Sequence, residues 1–313
     1  MTLDELNTHY VGFRRTLGER CVTNERILRS IARVIDPQTT VALISAAAVA
    51  EFLNGTGPVT SAWHTYYHAL KGFFRFAVSR GHILSAPLPA ILPKRPPRFV
   101  PHIYSVDELR RLLRATETYQ RNRSKIEPAT VRAIVLVLYG AGLRLQEAVN
   151  LSAADVNLQD AVLTVRETKF FKTRLVPINR HLCAELIRYS HRSGSPVATV
   201  DRPFFTTRSG GRVNPYTIEC CFQRVREEAE VRRSPDARYQ PRLHDLRHTF
   251  AVHRLTAWYR QGADVQRLIH HLSVYLGHAH LANTQPYLTM TPELLAFANA
   301  RFERYARGEG GHA

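Results

Sequence analysis

The sequence predicts a mainly α-helical fold with a small β-hairpin or sheet, divided into two domains. Three observations predict it. Apolar residues recur at helical spacing over most of the chain. Two short β-rich runs, 161–166 and 174–178, flank a loop and suggest a hairpin. Prolines gather between two periodic regions, at Pro87, Pro89, Pro93, Pro96, Pro97 and Pro101. With 313 residues the chain can bury two cores.

The first region reads as four helices. Leu3, Leu6, Tyr10, Phe13 and Leu17 form one stripe over 2–18, and a second helix runs from about Thr23 to Ile35, before Pro37. A third spans Ser45 to Leu53 and stops at Asn54-Gly55-Thr56-Gly57-Pro58. Thr60 to Arg80 is the fourth, with Trp63, Tyr66, Tyr67, Phe73, Phe74 and Phe76 mostly as core and Gly81 as its stop. This organises residues 1–92 as a small helical domain. Residues 93–104 read as a basic, proline-stiffened linker carrying Lys94, Arg95 and Arg98.

The second region, 105–313, opens on Ser105-Val106-Asp107-Glu108, a capping pattern before Leu109, Leu112 and Leu113. An apolar helix over Thr130–Tyr139 breaks at Gly140-Ala141-Gly142, and Leu143-Arg144-Leu145-Gln146-Glu147 opens the next. After the hairpin, helices are expected near 180–191, 215–232, 243–261 and 264–276. A last one starts at Thr291-Pro292-Glu293, with Thr291 as cap and proline in the first turn. Its stripe of Leu294, Leu295, Ala298, Phe302 and Tyr305 either covers its own domain or docks on a neighbouring copy.

Charge narrows the function. Lys and Arg number 43 against 26 Asp and Glu, a formal charge of +17, and both regions are basic. That balance favours a long polyanion through counterion release. No basic amphipathic surface helix with a bulky apolar face stands out, so nucleic acid is preferred to an anionic membrane. The N-terminus lacks the basic start and apolar core of a signal peptide, and no apolar run is long enough for a membrane span. A cytoplasmic, nucleoid-associated protein is expected. Cys21, Cys183, Cys220 and Cys221 lack zinc-finger spacing and read as packed thiols.

Chemistry concentrates in His244-Asp245-Leu246-Arg247-His248-Thr249-Phe250-Ala251. Residues three apart on a helix share a face, so His244 and Arg247 place a proton-transfer group beside a fixed cation. A guanidinium fork matches phosphate oxygens, and imidazole exchanges a proton near neutral pH. By itself the stretch reads equally as a surface helix start with a capping histidine and a solvated arginine. The same duality holds for Arg144 behind its glycine turn, for Lys169 at the hairpin tip, and for Tyr287. His244 and His248 sit four apart, as zinc pairs can, yet no glutamate lies between them in the metalloprotease pattern and no third ligand is spaced to join them. His248 reads as a structural residue that hydrogen-bonds near the site.

Taken together, these pieces resemble the tyrosine site-specific recombinase, or phage integrase, family. The resemblance rests on Ala141-Gly142-Leu143-Arg144-Leu145-Gln146-Glu147, the hairpin from Thr168 to Pro177, the stretch from His244 to Ala251, and Leu276-Gly277-His278 with Tyr287 nine residues past that histidine, all in the family's order. It implies a helical, SAM-like core-binding domain followed by a mixed α/β catalytic domain. It further implies site-specific DNA recombination: integration, excision, transposition or resolution, among which the sequence does not choose. Tyr287 would attack the scissile phosphate and form a 3′-phosphotyrosine link, conserving the phosphoester bond energy. Arg144 and Arg247 would clamp the non-bridging oxygens. Lys169 would protonate the leaving 5′ oxygen, His244 would assist proton transfer at the tyrosine, and His278 would bond a phosphate oxygen. Glu147 and Asp245 would orient these cations. Because cations neutralise the phosphate, neither a metal nor another cofactor is expected.

The expected partners are double-stranded DNA, further copies of the chain in a synaptic tetramer on DNA, and accessory recombination proteins; alone, the chain would be a monomer or weak oligomer. Candidate DNA contacts are Arg14, Arg15, Lys71, Arg75, Lys94, Arg95, Lys172 and Arg174. Two departures from the family pattern stand out: Phe170-Phe171 replaces small or polar hairpin residues, and Pro286 directly precedes the nucleophile, so its helical turn should begin there. Two rival functions share many features. A type IB topoisomerase-like enzyme would nick and close DNA without pairing sites. A catalytically silent DNA-binding regulator would lack some of the six active-site positions, all of which are present.

Overall fold

The computed structural model describes residues 1–55, 57–97, 99–119, 124–166, 173–192 and 202–307. Lys169, Lys172, Phe170, Phe171 and Arg98 lie outside that set. The chain divides into two compact units between Phe99 and Val100.

The first unit holds four helices, α1 (Leu3–Thr16), α2 (Val22–Ile35), α3 (Ala46–Asn54) and α4 (Ser61–Ser79), with a 3₁₀ turn at Val41–Leu43 that the sequence did not announce. Local chemistry sets the ends. Thr2 and Glu5 form a reciprocal capping box on α1, and Ser45 and Thr60 cap α3 and α4 with their hydroxyls. Gly81, at φ +74°, stops α4: its amide reaches Val78 O and the His82 amide reaches Ala77 O, closing the paired loop that only a left-handed residue permits without strain. Trp63, Tyr67, Phe73 and Phe74 enter the core with Leu6, Tyr10, Leu28 and Ile31, while Tyr66 and Phe76 stay partly exposed.

The second unit opens earlier than the proline pattern implies. Tyr104, assigned to the linker by sequence, is fully buried here; its amide donates to Thr249 Oγ1 at 3.0 Å and its hydroxyl to Arg242 O at 2.9 Å. A large aromatic next to a helix cap gains more from burial than an extended strap loses. Then follow α5 (Val106–Thr118), α6 (Pro128–Gly140) and α7 (Leu145–Asn150), and an antiparallel sheet of β1 (Val156–Asn157), β2 (Val162–Val165) and β3 (Arg174–Pro177) in the order β1-β2-β3. The β2–β3 register pairs Val162 with Pro177 and Val165 with Arg174. Strand β1 is too short to show periodicity and was not expected.

Five helices complete the unit: α8 (Arg180–Arg192), α9 (Pro215–Glu228), α10 (Asp245–Arg260), α11 (Val265–Leu276) and α12 (Pro292–Ala306). Helix α9 ends four residues before the expected 232, with Glu230 at φ +51° breaking its path. Helix α10 packs against α6, α11, α12 and the 3₁₀ turn Gln285–Thr289, and buries Leu246, Ala251, Val252 and Leu255. Leu294 of α12 is fully buried in this unit and Leu295 is exposed, so the start of the last helix covers its own domain. The side chains of Phe302 and Tyr305 lie outside the described ones. No helix among the described residues is long and apolar enough to cross a membrane.

Candidate active site

The site forms where three chain turns meet. After α6 the chain reverses at Gly142, whose φ of +61° leaves no room for a side chain: an added Cβ would lie 2.6 Å from the Phe250 ring. This turn delivers Arg144 to the N-cap of α7. Its amide donates to Glu147 Oε2 at 3.0 Å, and its guanidinium donates to Glu147 Oε1 at 2.7 Å and to Gly277 O at 3.2 Å.

Arg247, in the first turns of α10, is 2% exposed. One guanidinium nitrogen donates to Gly142 O at 2.5 Å and the other to Leu276 O at 2.6 Å. The Glu147 carboxylate stands 3.9 Å away. Burial, and then the charge of Arg144, push the Arg247 pKa down to about 10, so it stays a cation at neutral pH. The two arginines thus use consecutive carbonyls, Leu276 and Gly277, at the end of α11. Gly277 makes this possible at φ +67°, as the left-handed stop of that helix.

Glu147 is the counter-charge of the site. It also accepts two bonds from Arg174, at 3.1 and 2.7 Å, and Arg174 Nε donates to Tyr275 O at 3.1 Å. Burial works to raise the Glu147 pKa, but the bonds and charge of Arg174, with the Arg144 amide, overcome it and hold it at about 2. Arg174 is therefore not the DNA-facing cation expected from sequence: its donors are used inside the protein. Asp245 also differs from expectation. Fully buried, it accepts from the Arg242 amide and guanidinium, both at 3.0 Å, and so fixes the entry to α10 rather than Arg144 or Arg247.

Tyr287 sits in the 3₁₀ turn Gln285–Thr289, 3% exposed. Pro286 occupies the first turn, where a missing N–H removes no helical bond. The Tyr287 amide donates to Thr284 O at 3.0 Å, and the Thr284 hydroxyl pairs with His278 Nδ1 at 2.7 Å. The His278 ring stacks at 26° to Tyr287, centroids 6.1 Å apart. Burial raises the phenol pKa, and Arg247 followed by Arg144 draws it back. The imidazole on the Tyr287 hydroxyl is that of His248, with Nδ1 3.1 Å from Oη. His244, expected at this position, stands exposed just before α10 with its ring edge-on to His248, centroids 5.0 Å apart. His248 and His278 are held near pKa 4, each chiefly by burial, then by His244 for the first and by Arg247 for the second; both are neutral at pH 7.

The other expected cations divide. Arg14 forms a bidentate pair with Glu19 and Arg15 bonds Glu25 at 2.7 Å, so each is engaged by a carboxylate of its own unit. Lys71 and Arg75 are exposed one turn apart on α4, and Lys94 is exposed nearby in sequence. Arg95 is exposed, 3.1 Å from His68 Nε2. Among the described residues no group of three or more His, Cys, Asp or Glu is placed to hold a metal ion. Sequence reasoning missed Thr284, Arg242 and the inward role of Arg174. The alternation of β3 was the one available signal for Arg174, since its neighbour Leu175 points outward.

A phenol between imidazoles, beside two guanidiniums pinned by backbone carbonyls, is equipped for nucleophilic attack on a phosphate diester. On this helical scaffold those parts define a tyrosine recombinase. The chain belongs to the phage integrase family, which matches residues 104–293, and it is an enzyme of site-specific DNA recombination. It is 36% identical over 299 residues to the integrase/recombinase y4rB of Sinorhizobium fredii, covering 94% of this chain and 95% of that protein. It is 30% identical over 229 residues to tyrosine recombinase XerA of Pyrococcus horikoshii, covering 72% and 68%. Among solved structures, the Tn1549 transposon integrase in complex with circular intermediate DNA superposes with a TM-score of 0.70 over 97% of this chain and 100% of that one, at 18% identity.

Proposed function

We propose that this recombinase cuts one strand of duplex DNA at a time through Tyr287 and exchanges strands between two sites through a Holliday junction. The observation that carries this reading is the convergence on the end of α11. Arg247 and Arg144 are pinned to Leu276 O and Gly277 O, one residue before His278, and His278 leads through Thr284 to Tyr287. A phosphate seated there meets two cations at fixed spacing and a nucleophile already positioned, so little reorganisation is needed in the transition state.

In this reading Arg144 and Arg247 hold the non-bridging oxygens and His278 bonds one of them. Lys169 protonates the 5′ oxygen as it leaves. His244 assists proton transfer at the tyrosine through His248, to whose ring it stands edge-on, and Glu147 keeps the cations in place. Tyr287 is left joined to the 3′ phosphate, and the 5′ hydroxyl of either duplex can reverse the step without an external energy source. Two duplexes contain four strands and each chain supplies one tyrosine, so complete exchange needs four copies on DNA. Lys71, Arg75, Lys94 and Arg95 supply backbone contacts, and residues 1–92 and 105–313 grip DNA as separate domains. Helix α12 beyond Leu294 links copies, accessory proteins set direction, and the enzyme works on DNA in the cytoplasm. Deleting residues 291–313 should then impair assembly on DNA; unchanged complexes would remove the linking role.

The test of the reaction is a covalent trap. The protein is incubated with a nicked suicide substrate built from DNA flanking its own gene, beside Tyr287→Phe. An SDS-resistant adduct absent from the variant establishes the nucleophile. An adduct that survives in the variant moves the chemistry to another residue. Pairing of two sites into a junction separates recombination from nicking and closing, and adduct formation separates both from DNA binding alone.

A further inference from the structure

We infer that His248 is a catalytic residue: its Nδ1 takes the proton of the Tyr287 hydroxyl as that oxygen attacks the scissile phosphorus, and returns it when the strand is rejoined. The inference rests on the reading of Tyr287 as nucleophile and adds a group that the resemblance to the family did not supply.

Both partners are held before DNA arrives. His248 lies between two anchored residues of α10. Arg247 is tied to Gly142 O and Leu276 O, and Thr249 accepts from the Tyr104 amide and donates to Asp245 O at 2.9 Å. Tyr287 is fixed from its own side by the bond to Thr284 O and by burial. The imidazole and phenol rings stand 5.5 Å apart at 57°, with Nδ1 3.1 Å from Oη. A general base must lie within hydrogen-bond reach of the proton it abstracts, and here it does.

The balance of the step is simple. The Tyr287 O–H bond breaks as N–H forms at His248 Nδ1. The Oη–P bond forms and the P–O5′ bond breaks, with the 5′ oxygen protonated by Lys169. In rejoining, the imidazolium gives the proton back to the departing tyrosine. Burial keeps His248 neutral at pH 7, and the tautomer with its proton on Nε2 leaves the Nδ1 lone pair to accept from the Tyr287 hydroxyl. A phosphate arriving between Arg144 and Arg247 brings negative charge beside the ring and raises its proton affinity at the moment the base is needed. His244, exposed and edge-on to His248, can then exchange the proton with water.

Two measurements test this. In ¹⁵N-histidine NMR of the DNA-free protein, His248 should show an unprotonated Nδ1 whose shift moves in Tyr287→Phe; a protonated Nδ1 donating to Tyr287 would overturn the inference. In single-turnover cleavage of the nicked substrate, His248→Asn offers Oδ1 as an acceptor in place of Nδ1 but cannot hold a proton. Cleavage should slow by about 100-fold, the ordinary contribution of a general base, with DNA affinity unchanged. A 5′-bridging phosphorothiolate, whose sulfur leaves without an acid, should rescue Lys169→Ala and leave His248→Asn slow. Rates for His248→Asn within about threefold of the unmodified chain, or rescue by sulfur, would reject the base role. If Tyr287→Phe still forms the adduct, the nucleophile assignment fails as well. If Tyr287→Phe abolishes it while His248→Asn cleaves normally, only the inference fails.

Discussion

Arg174 and Glu147 meet fork to fork: two guanidinium nitrogens reach the two carboxylate oxygens, at 3.1 and 2.7 Å. The pair joins strand β3 to helix α7, and the same carboxylate binds Arg144 and lies beside Arg247. One acidic group therefore faces three cations, which leaves the cluster net positive.

Removing that acid should be expensive. Glu147→Ala leaves Arg174 and Arg247 without their counter-charge in a protein interior, a loss of about 3–5 kcal/mol for a buried pair. Urea denaturation of the variant measures it. A shift of well under about 1 kcal/mol would mean that the site relaxes to admit water.

Acid should weaken the second unit in two stages. The folded pKa values of His248 and His278, about 4, lie below the ordinary 6.5. Their neutral forms therefore add stability that is complete above 6.5 and declines as pH falls toward 4. Glu147, at about 2 against an ordinary 4.5, adds a second contribution, present above 4.5 and lost as pH falls toward 2. Denaturation midpoints should drop through both windows. Asn at positions 248 and 278 should flatten the upper stage and leave the lower one.

Gly277→Ala tests the turn that serves both arginines. An added Cβ would lie 2.7 Å from an Arg174 guanidinium nitrogen, at a φ of +67° that L side chains rarely adopt. The expected cost is about 1–3 kcal/mol, with slower covalent trapping because the carbonyl used by Arg144 shifts. Normal melting together with normal trapping would show that the turn tolerates displacement.

Thr249→Val probes the seam between the start of the second unit and α10. The substitution keeps the shape but strands the Tyr104 amide, which now donates to Thr249 Oγ1. A buried unsatisfied donor costs about 1–3 kcal/mol. Thr249→Ser should recover most of that loss; equal loss in both variants would assign the effect to packing.

Much of this was legible in the chain. Helix ends coded by short-range chemistry, such as Ser105 with Glu108 or Thr291 before Pro292, fell where the residues put them. Order and spacing also marked Arg144, Arg247, His278 and Tyr287. Partners far apart in sequence were not legible. Arg174 lies 27 residues from Glu147, and apart from the strand alternation that sets it opposite the exposed Leu175 nothing local points it inward. His244 and His248 sit on the same helical stretch four residues apart, and sequence alone assigned the tyrosine to the first.

The sequence by itself determined the family and the mainly helical fold with its small sheet, because helical periodicity, caps and motif spacing act over a few residues. The tertiary structure decided which groups touch. It gave Tyr287 to His248, turned Arg174 inward onto Glu147, drew Tyr104 into the second unit, and tied both arginines to the end of α11. Each outcome depends on where α6, α10 and α11 pack against one another, since a hydrogen bond acts only over about 3 Å and only packing brings distant residues that close.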